Sequence, residues 1–497
     1  MNESKSSPLY AAIDLGSNSF HMLIVRELSG CVQTIAKVKR KVRLAEGLDK
    51  NNQLDQAAMV RGWQCLSLFS EQLRDIPEQQ IKIVATAALR KAVNAQVFLT
   101  QAEKILANKI NIISGETEAK IIYRGVAHTS GGHGKRLVID IGGASTELVI
   151  GEQSETRLLN SLDMGCVTWL KRYFSDSLSE GNFAQAIEAA KAVIEPVLSD
   201  YRRLGWKSAL GASGTIQAVL EIITAQGLDE RITYPKLKAI QQQVIACGKL
   251  ETLNIEGLNE ERKPVFASGL AILIALFESL QIEGLTLAGG ALREGLVYGL
   301  LSQQETSSVR ARTAESFIKR HHIDVQQAER VAHCAITLCQ QVTPRLSDRA
   351  LSLLKWAAMF HEVGLNIEFK KAPEHAAYII DHSDLPGFTS AQKHFVSSLM
   401  LNQRGQWQAQ LLSQQHALEK PEALILTRML RIAIIVCMRR TEGSVPNISL
   451  LQNENDWQLC FPPTWSEQHP LRAAELELEA KVQSEVGYPL RVIEALC

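Results

Sequence analysis

Ala11-Ala12-Ile13-Asp14-Leu15-Gly16-Ser17-Asn18-Ser19 is the stretch from which the rest of the chain can be read. It runs from apolar residues into an aspartate, a glycine and small polar side chains, then turns apolar again from Phe20 to Val25. Val138-Ile139-Asp140-Ile141-Gly142-Gly143-Ala144-Ser145-Thr146-Glu147 repeats it, both containing Ile-Asp-(Leu or Ile)-Gly-x-x-Ser. A repeat on this scale points to two related subdomains facing one another. Magnesium binds through one or two carboxylates plus substrate phosphates, so Asp14 and Asp140, each at a strand end beside a glycine turn, are candidate metal groups. Ser17, Asn18, Gly142, Gly143, Ser145 and Thr146 are then candidates to cradle phosphate oxygens with backbone N–H and hydroxyl donors. A single Asp-x-Gly also marks a tight turn; the repetition favours the ligand reading.

Outward from that stretch the pattern is α/β. Leu9 to Leu15, Phe20 to Glu27 and Cys31 to Val38 read as a β-meander, with turn chemistry at Ser17-Asn18-Ser19 and Ser29-Gly30. Apolar residues at helical spacing (Met59, Trp63, Leu66, Phe69, Leu73) follow Asp55, a plausible N-cap. Ile81 to Thr86 is a buried strand, Ala87 to Ala92 a helix carrying Arg90, and Ile110 to Ser114 a short strand before a helix through Val126. Lys37, Lys39, Arg40, Lys41 and Arg43 crowd one extended segment, either a charge-protected edge strand or a face that steers substrate. His128 to Lys135 reads as a glycine-rich surface connection; Thr129 and Arg136 occupy positions where a P-loop needs Gly and Ser/Thr, so that motif is rejected. Gly211-Ala212-Ser213-Gly214-Thr215 and Leu287-Ala288-Gly289-Gly290-Ala291 are further strand-to-helix turns where a ligand can approach backbone closely.

At 497 residues the chain is too long for one core. Lys+Arg and Asp+Glu both number 53, so overall charge argues for neither nucleic acid nor membrane as partner, and any anion site must come from local clustering. Met1 to Tyr10 lacks a signal-peptide core, and the longest apolar run, Leu270 to Phe277, is too short to cross a bilayer. The nine cysteines match no zinc spacing and read as reduced core thiols. A cytoplasmic protein is expected. Polar sequence at 302–313 and mostly helical patterning beyond place a boundary near 305–315, giving segments 1–126, 127–305, 314–447 and 448–497. The last carries strand-like Trp457 to Phe461 and Arg491 to Ile493.

Hydrolysis of a phosphate needs a base for water, and Glu118 and Glu147 lie beside the candidate loops. Glutamates at a helix N-terminus also serve as dipole-matching caps, and spacing alone does not choose.

Asp14-Leu15-Gly16-Ser17-Asn18-Ser19-Phe20-His21, Ser114-Gly115-Glu116-Thr117-Glu118-Ala119, Asp140 to Leu148 and Gly211 to Thr215, in that order, resemble the exopolyphosphatase/guanosine pentaphosphate phosphohydrolase family over essentially the whole chain. The resemblance implies two actin-like subdomains (sugar kinase/actin superfamily, RNase H-like) with Mg2+ and a phosphate chain between them. A mostly α-helical, HD-like C-terminal domain and a small β element follow. It implies in-line attack by water on a terminal phosphoryl group. Glu118 takes the role of catalytic base and Glu147 orients water or metal. Asp14 and Asp140 are the metal-associated aspartates, and Arg90 meets the phosphate chain.

Gly142-Gly143-Ala144-Ser145, Met164 to Trp169 and Leu287 to Ala291 favour the pentaphosphate branch, which converts pppGpp to ppGpp in stringent-response signalling. Polyphosphate is a possible second substrate. The rivals are an exopolyphosphatase using a basic channel at Lys39, Lys41 and Arg43, and a nucleotide-binding sensor of the same fold. His361-Glu362-Val363-Gly364 stands where an HD domain has His-Asp-x-Gly, flanked by His333 and His375. With the aspartate replaced, the resemblance implies a scaffold for substrate binding and homodimerisation rather than a second metal site. His321-His322 reads as an exposed pair flanking a helix.

Overall fold

A computed structural model describes residues 7–28, 31–132, 134–301, 308–441, 443–453 and 456–495. The turn expected at Ser29-Gly30, the first half of the polar stretch at 302–313, Cys497 and much of the N-terminal tail lie outside the described residues. The chain forms two compact units, Met1–Val309 and Arg310–Cys497.

The first unit holds two sheets with the same topology. In the first, β1 (Leu9–Leu15), β2 (Ser19–Leu28), β3 (Cys31–Lys41), β4 (Ile81–Ala85) and β5 (Asn111–Ile112) lie in the order β3-β2-β1-β4-β5. In the second, β6 (Lys135–Ile141), β7 (Thr146–Glu152), β8 (Glu155–Leu162), β9 (Ser208–Gly211) and β10 (Leu285–Leu287) lie in the order β10-β9-β6-β7-β8, the same arrangement read from the other edge. Each begins with an antiparallel meander and adds two parallel strands. The duplication reaches single residues. Asp14 pairs with His21 as Asp140 pairs with Glu147, and the register slips after Ile24 in β2 and after Ile150 in β7, three residues beyond each partner.

Helices α1 (Gln56–Leu73), α2 (Ala87–Lys91), α3 (Ala95–Leu106) and α4 (Gly115–Thr129) alternate with the first strands, and the Asp55 carboxylate caps α1 by accepting from Ala58 N. In the second half come α5 (Cys166–Tyr173), α6 (Glu180–Leu204), α7 (Gly214–Ala225), α8 (Tyr234–Cys247), α9 (Lys263–Leu280) and α10 (Leu292–Leu301). The apolar run Leu270–Phe277 lies inside α9, which by length and composition alone is apolar enough to cross a membrane. It is instead the buried core helix of this half, packed with residues such as Leu137, Phe183 and Ile222.

The segment boundary expected after residue 126 is not a packing boundary. α4 packs on β7 and β8 of the second sheet, whereas α10, late in the chain, packs on β1 and β2 of the first. The two helices cross at Gly125 and Gly295. A Cβ on Gly125 would stand 1.9 Å from Ala291 O, and one on Gly295 would stand 1.8 Å from Ile121 O, so only glycine permits this approach. The connection expected from His128 to Lys135 begins as helix and core: His128 and Thr129 finish α4, and they and Ser130 are buried, Ser130 Oγ accepting from Gly289 N, whereas Gly132 is exposed.

The second unit contains α11 (Val309–Arg320), α12 (Val325–Cys339), α13 (Asp348–Phe360), α14 (Ala372–Asp381), α15 (Ser390–Leu401), α16 (Ala409–Gln414) and α17 (Lys420–Val436) around one apolar core. A three-stranded sheet, β11 (Ser449–Asn453), β12 (Asp456–Phe461) and β13 (Leu490–Glu494), joins that core. β12 and β13 are parallel, so they need a crossover; α18 (Trp465–Gln468) and α19 (Pro470–Glu485) supply it, a helical segment the expected small β element lacked. Arg428 lies 3.6 Å over the Trp457 ring and the buried Arg431 guanidinium pairs with Glu479 at 2.6 Å, tying α17 to the crossover.

Candidate active site

Both sheets present the loops after their first strands to one cleft of about 550 Å3, within the range of small-molecule sites. Asp14 and Asp140 sit one residue before the ends of β1 and β6, and each chain then turns at once through a glycine. The turns are tight enough that a Cβ on Gly16 would meet Ser19 O at 2.9 Å and one on Gly142 would meet Ser145 O at 3.0 Å. The two loops also face each other: a Cβ on Gly143 would stand 3.0 Å from Ser17 Cβ and 3.5 Å from Asn18 N. Ser17, Asn18, Gly142, Gly143, Ser145 and Glu147 line the cleft together with both aspartates and Glu118.

Glu118 is placed by a helix start. Ser114 caps α4 by accepting from Thr117 N, and the first turn carries Glu118 to the cleft wall, where it is 8% exposed. Arg90 Nη1 reaches its Oε2 at 3.1 Å. Glu147 Oε1 accepts from Ser161 Oγ at 2.8 Å.

Two residues the sequence placed on the phosphate chain are engaged elsewhere. The Thr146 hydroxyl donates to Met164 O at 2.7 Å, and Thr146 is wholly buried and does not line the cleft. Arg90 Nη1 is shared between Glu118 Oε2 and Ile113 O, so it bears on the cleft through the Glu118 carboxylate.

The cleft is electrostatically loaded. Burial, and then the carboxylates of Glu147 and Asp14, push the Glu118 pKa well above the usual range, against Arg90. Burial and the same kind of repulsion push Asp140 up to about 7, and burial pushes Glu147 up to about 6. Asp14 Oδ1 is buried without a hydrogen-bond partner among the described residues, while Oδ2 lies 3.5 Å from His21 Nδ1. Burial holds the His21 imidazole below the usual histidine range, and Asp14 opposes that shift. Mutually repelling carboxylates and an orphaned buried oxygen fit a divalent cation. Among the described residues no three His, Cys, Asp or Glu side chains converge into a closed cage. That suits a hard cation bound by one or two carboxylates and completed by substrate phosphates.

Sequence reasoning missed several lining groups, among them His21, Thr86, Gln217, Arg262 and Arg293. The signal for Arg262 was there in part. Its guanidinium lies where a Gly214 side chain would be, 1.6 Å from a Cβ built there, so Gly214 exists to admit it. Glu260-Glu261-Arg262-Lys263, however, reads as an ordinary solvated charge run. Arg293 follows the Gly289-Gly290 turn, and it and Arg262 both draw the Asp140 pKa downward.

In the second unit the Glu362 carboxylate of His361-Glu362 is engaged by an arginine. Arg440 reaches both Glu362 oxygens and also pairs with Asp324 at 3.1 Å, so a guanidinium sits where the HD resemblance would put a cation. His361 Nδ1 lies 2.6 Å from Ala358 O, His375 pairs with Glu368 at 3.6 Å, and His333 is exposed. His321 is half-buried and packs on Phe317, whereas His322 is exposed.

A duplicated actin-like fold, two facing loops in one cleft, clustered carboxylates and a buried glutamate in the same cleft are the features of a phosphohydrolase. The Ppx/GppA phosphatase family model matches residues 23–304, and that family's domain III matches residues 309–480. The chain belongs to the Ppx/GppA phosphatase family. The guanosine-5'-triphosphate,3'-diphosphate pyrophosphatase of Aeromonas hydrophila subsp. hydrophila is 58% identical over 494 residues, 99% of this chain and 100% of that protein. The protein of the same name from Photobacterium profundum is 53% identical over 498 residues, the full length of both chains. Among solved structures, an exopolyphosphatase from Cytophaga hutchinsonii superposes with a TM-score of 0.54 at 23% identity, over 60% of this chain and 99% of that one. A Ppx/GppA enzyme from Aquifex aeolicus gives 0.51 at 22%, over 59% and 100%. At these identities the structures bear on fold alone.

Proposed function

We propose that the chain hydrolyses the terminal 5′ phosphoanhydride of guanosine 5′-triphosphate 3′-diphosphate (pppGpp), releasing phosphate and ppGpp in stringent-response signalling. The observation that carries the chemistry is Glu118, a buried carboxylate held by Arg90 and set across the cleft from two facing loops. The names of relatives that match over their whole length support the guanosine substrate.

The Gly143 backbone N–H and the Ser17 hydroxyl bind and orient the terminal phosphoryl group, while the Gly142 N–H closes the second loop on Ser145 O at 2.9 Å. Glu118, ionised, takes a proton from water as its oxygen bonds to the γ-phosphorus. The bond to the bridging oxygen then breaks, and that oxygen leaves on ppGpp. Glu147, fixed by Ser161, orients the water, and Arg262 and Arg293 offset charge on the phosphates. Asp14 and Asp140 would hold Mg2+, which would neutralise the carboxylates and the phosphate oxygens. Polyphosphate presents the same terminal anhydride and is proposed as a second substrate. Action in the cytoplasm as a homodimer completes the reading, with cell fractionation and light scattering as the checks.

Phosphate release from pppGpp, polyphosphate and ATP, measured side by side with Mg2+, tests it. Faster turnover of long polyphosphate than of pppGpp overturns the choice of substrate, and binding without release overturns hydrolysis.

A further inference from the structure

The basic run on β3 reaches the cleft but is not an open channel. Lys37 and Lys39 lie two residues apart on this edge strand, on one face, and both line the cleft. Arg262, the residue before α9, reaches the same wall from the second subdomain. Burial and then the nearby Arg262 hold the Lys39 ammonium below the usual lysine range. One residue meets this cluster from across the subdomains: Glu261, in the loop entering α9. Its Oε2 accepts from Lys39 Nζ at 3.4 Å and its backbone carbonyl accepts from Lys41 Nζ at 2.9 Å. Farther along, Arg43 Nε pairs with Glu46 at 3.7 Å. Three of the five cations in the run are therefore engaged within the chain.

We infer that Glu261 is a specificity-determining residue, an internal counter-ion that discriminates against polyanions extending out of the cleft along β3. The inference rests on reading the cleft as a pppGpp phosphohydrolase and goes beyond it. A compact pentaphosphate ends in a nucleoside and is held by the loops, Arg262 and Arg293. A phosphate chain that continues past Lys39 meets the Glu261 carboxylate and finds Lys39 and Lys41 already occupied. Glu261 is 58% exposed and Lys39 35%, so the pair is weak by itself and yields to a ligand. Its effect on a polyanion is local, because exposed charges are screened within about 8–10 Å at ordinary salt. It grows with the number of phosphates that pass.

Glu261→Gln in the full-length protein removes the charge and keeps the carbonyl that Lys41 uses. Phosphate release is followed with pppGpp, tripolyphosphate and long-chain polyphosphate at low and high salt. The expected result is a gain of about five-fold in kcat/KM for long polyphosphate, mostly in KM, that fades as salt screens the site. pppGpp and tripolyphosphate stay within about two-fold over the same salt range. Lys39→Met in the Glu261→Gln background cancels the gain. Equal changes for all three substrates, or an unchanged ratio in a variant still active on pppGpp, overturn the inference. Wild-type protein that releases phosphate from none of them overturns the underlying reading of the cleft, a result distinguishable from the first two.

Discussion

Arg90 Nη1 lies 3.1 Å from Glu118 Oε2 while donating a 2.7 Å hydrogen bond to Ile113 O. The base and its countercharge are thus held by the strand-to-helix connection that starts α4, not by flexible side chains alone. Glu118→Gln keeps the shape and removes the proton acceptor, so kcat is expected to fall by about 10²–10⁴-fold in a protein that still folds. Arg90→Ala removes a group that draws the Glu118 pKa down. The acid limb of its pH–rate profile is expected to move to higher pH, with activity partly regained in alkaline buffer. Arg90 serving only to contact phosphate would raise KM without moving that limb.

The clustered carboxylates make a pH prediction for protein stripped of divalent metal. Asp140 is raised from 3.8 to about 7 and Glu147 from 4.5 to about 6, and Glu118 also rises. With folded pKa values above unfolded ones, the folded state holds more protons between roughly pH 4 and 7. Stability therefore falls as pH rises through that window, the opposite of a salt-bridged carboxylate. Calorimetry in EDTA is expected to show Tm decreasing from pH 5 to 8, with Mg2+ restoring more at pH 8 than at pH 5. Asp140→Asn is expected to flatten the slope. A Tm that rises with pH in EDTA contradicts the arrangement.

The crossing of α4 and α10 predicts a position where one methyl group is costly. A Cβ on Gly125 meets backbone, 1.9 Å from Ala291 O and 2.8 Å from Gly295 N, which cannot swing aside like a side chain. Gly125→Ala is expected to cost about 1–3 kcal/mol. It should also raise KM, because displacing α10 moves Arg293 at its start. Gly181→Ala in α6, where a Cβ finds nothing nearer than 3.8 Å, is the control and should be neutral or slightly stabilising. Denaturant unfolding of both variants, with substrate kinetics, decides.

What could be read in the sequence was what is local. Asp14-x-Gly and Asp140-x-Gly carry their own turn chemistry, so the repeat, the strand ends and the facing loops were legible. Gly115-Glu116-Thr117-Glu118 after a short strand announced a helix carrying a glutamate, though Ser114, read as the strand's end, is in fact the helix's cap. Contacts between distant segments were not legible. Nothing near Thr146 says that its hydroxyl is spent on Met164 O, and nothing near Arg90 says that its guanidinium is shared between Ile113 O and Glu118. Arg262 is 48 positions beyond the Gly214 it covers, and the helix swap between sheets is a property of Gly125 and Gly295 together. Glycines with no turn to make were the unread clue: both stand inside helices, where only a close approach explains them.

Arg440 offers a prediction about the helical unit. Its guanidinium reaches both oxygens of Glu362, whose side chain is 13% exposed, and also meets Asp324. Arg440→Met leaves a mostly buried carboxylate without its partner, a loss of about 1–3 kcal/mol. Glu362→Gln in that background should recover most of it, because the cost lies in the unpaired charge rather than in the missing arginine. Were this a metal site merely plugged by an arginine, Mn2+ would stabilise Arg440→Met. His333 is exposed and His361 Nδ1 is directed at Ala358 O, so too few ligands converge, and no such rescue is expected. Thermal shifts of the three proteins with and without Mn2+ separate the cases. Phosphate release from pppGpp should stay within about two-fold throughout, since Arg440, Glu362 and Asp324 all belong to the helical unit and none lines the cleft.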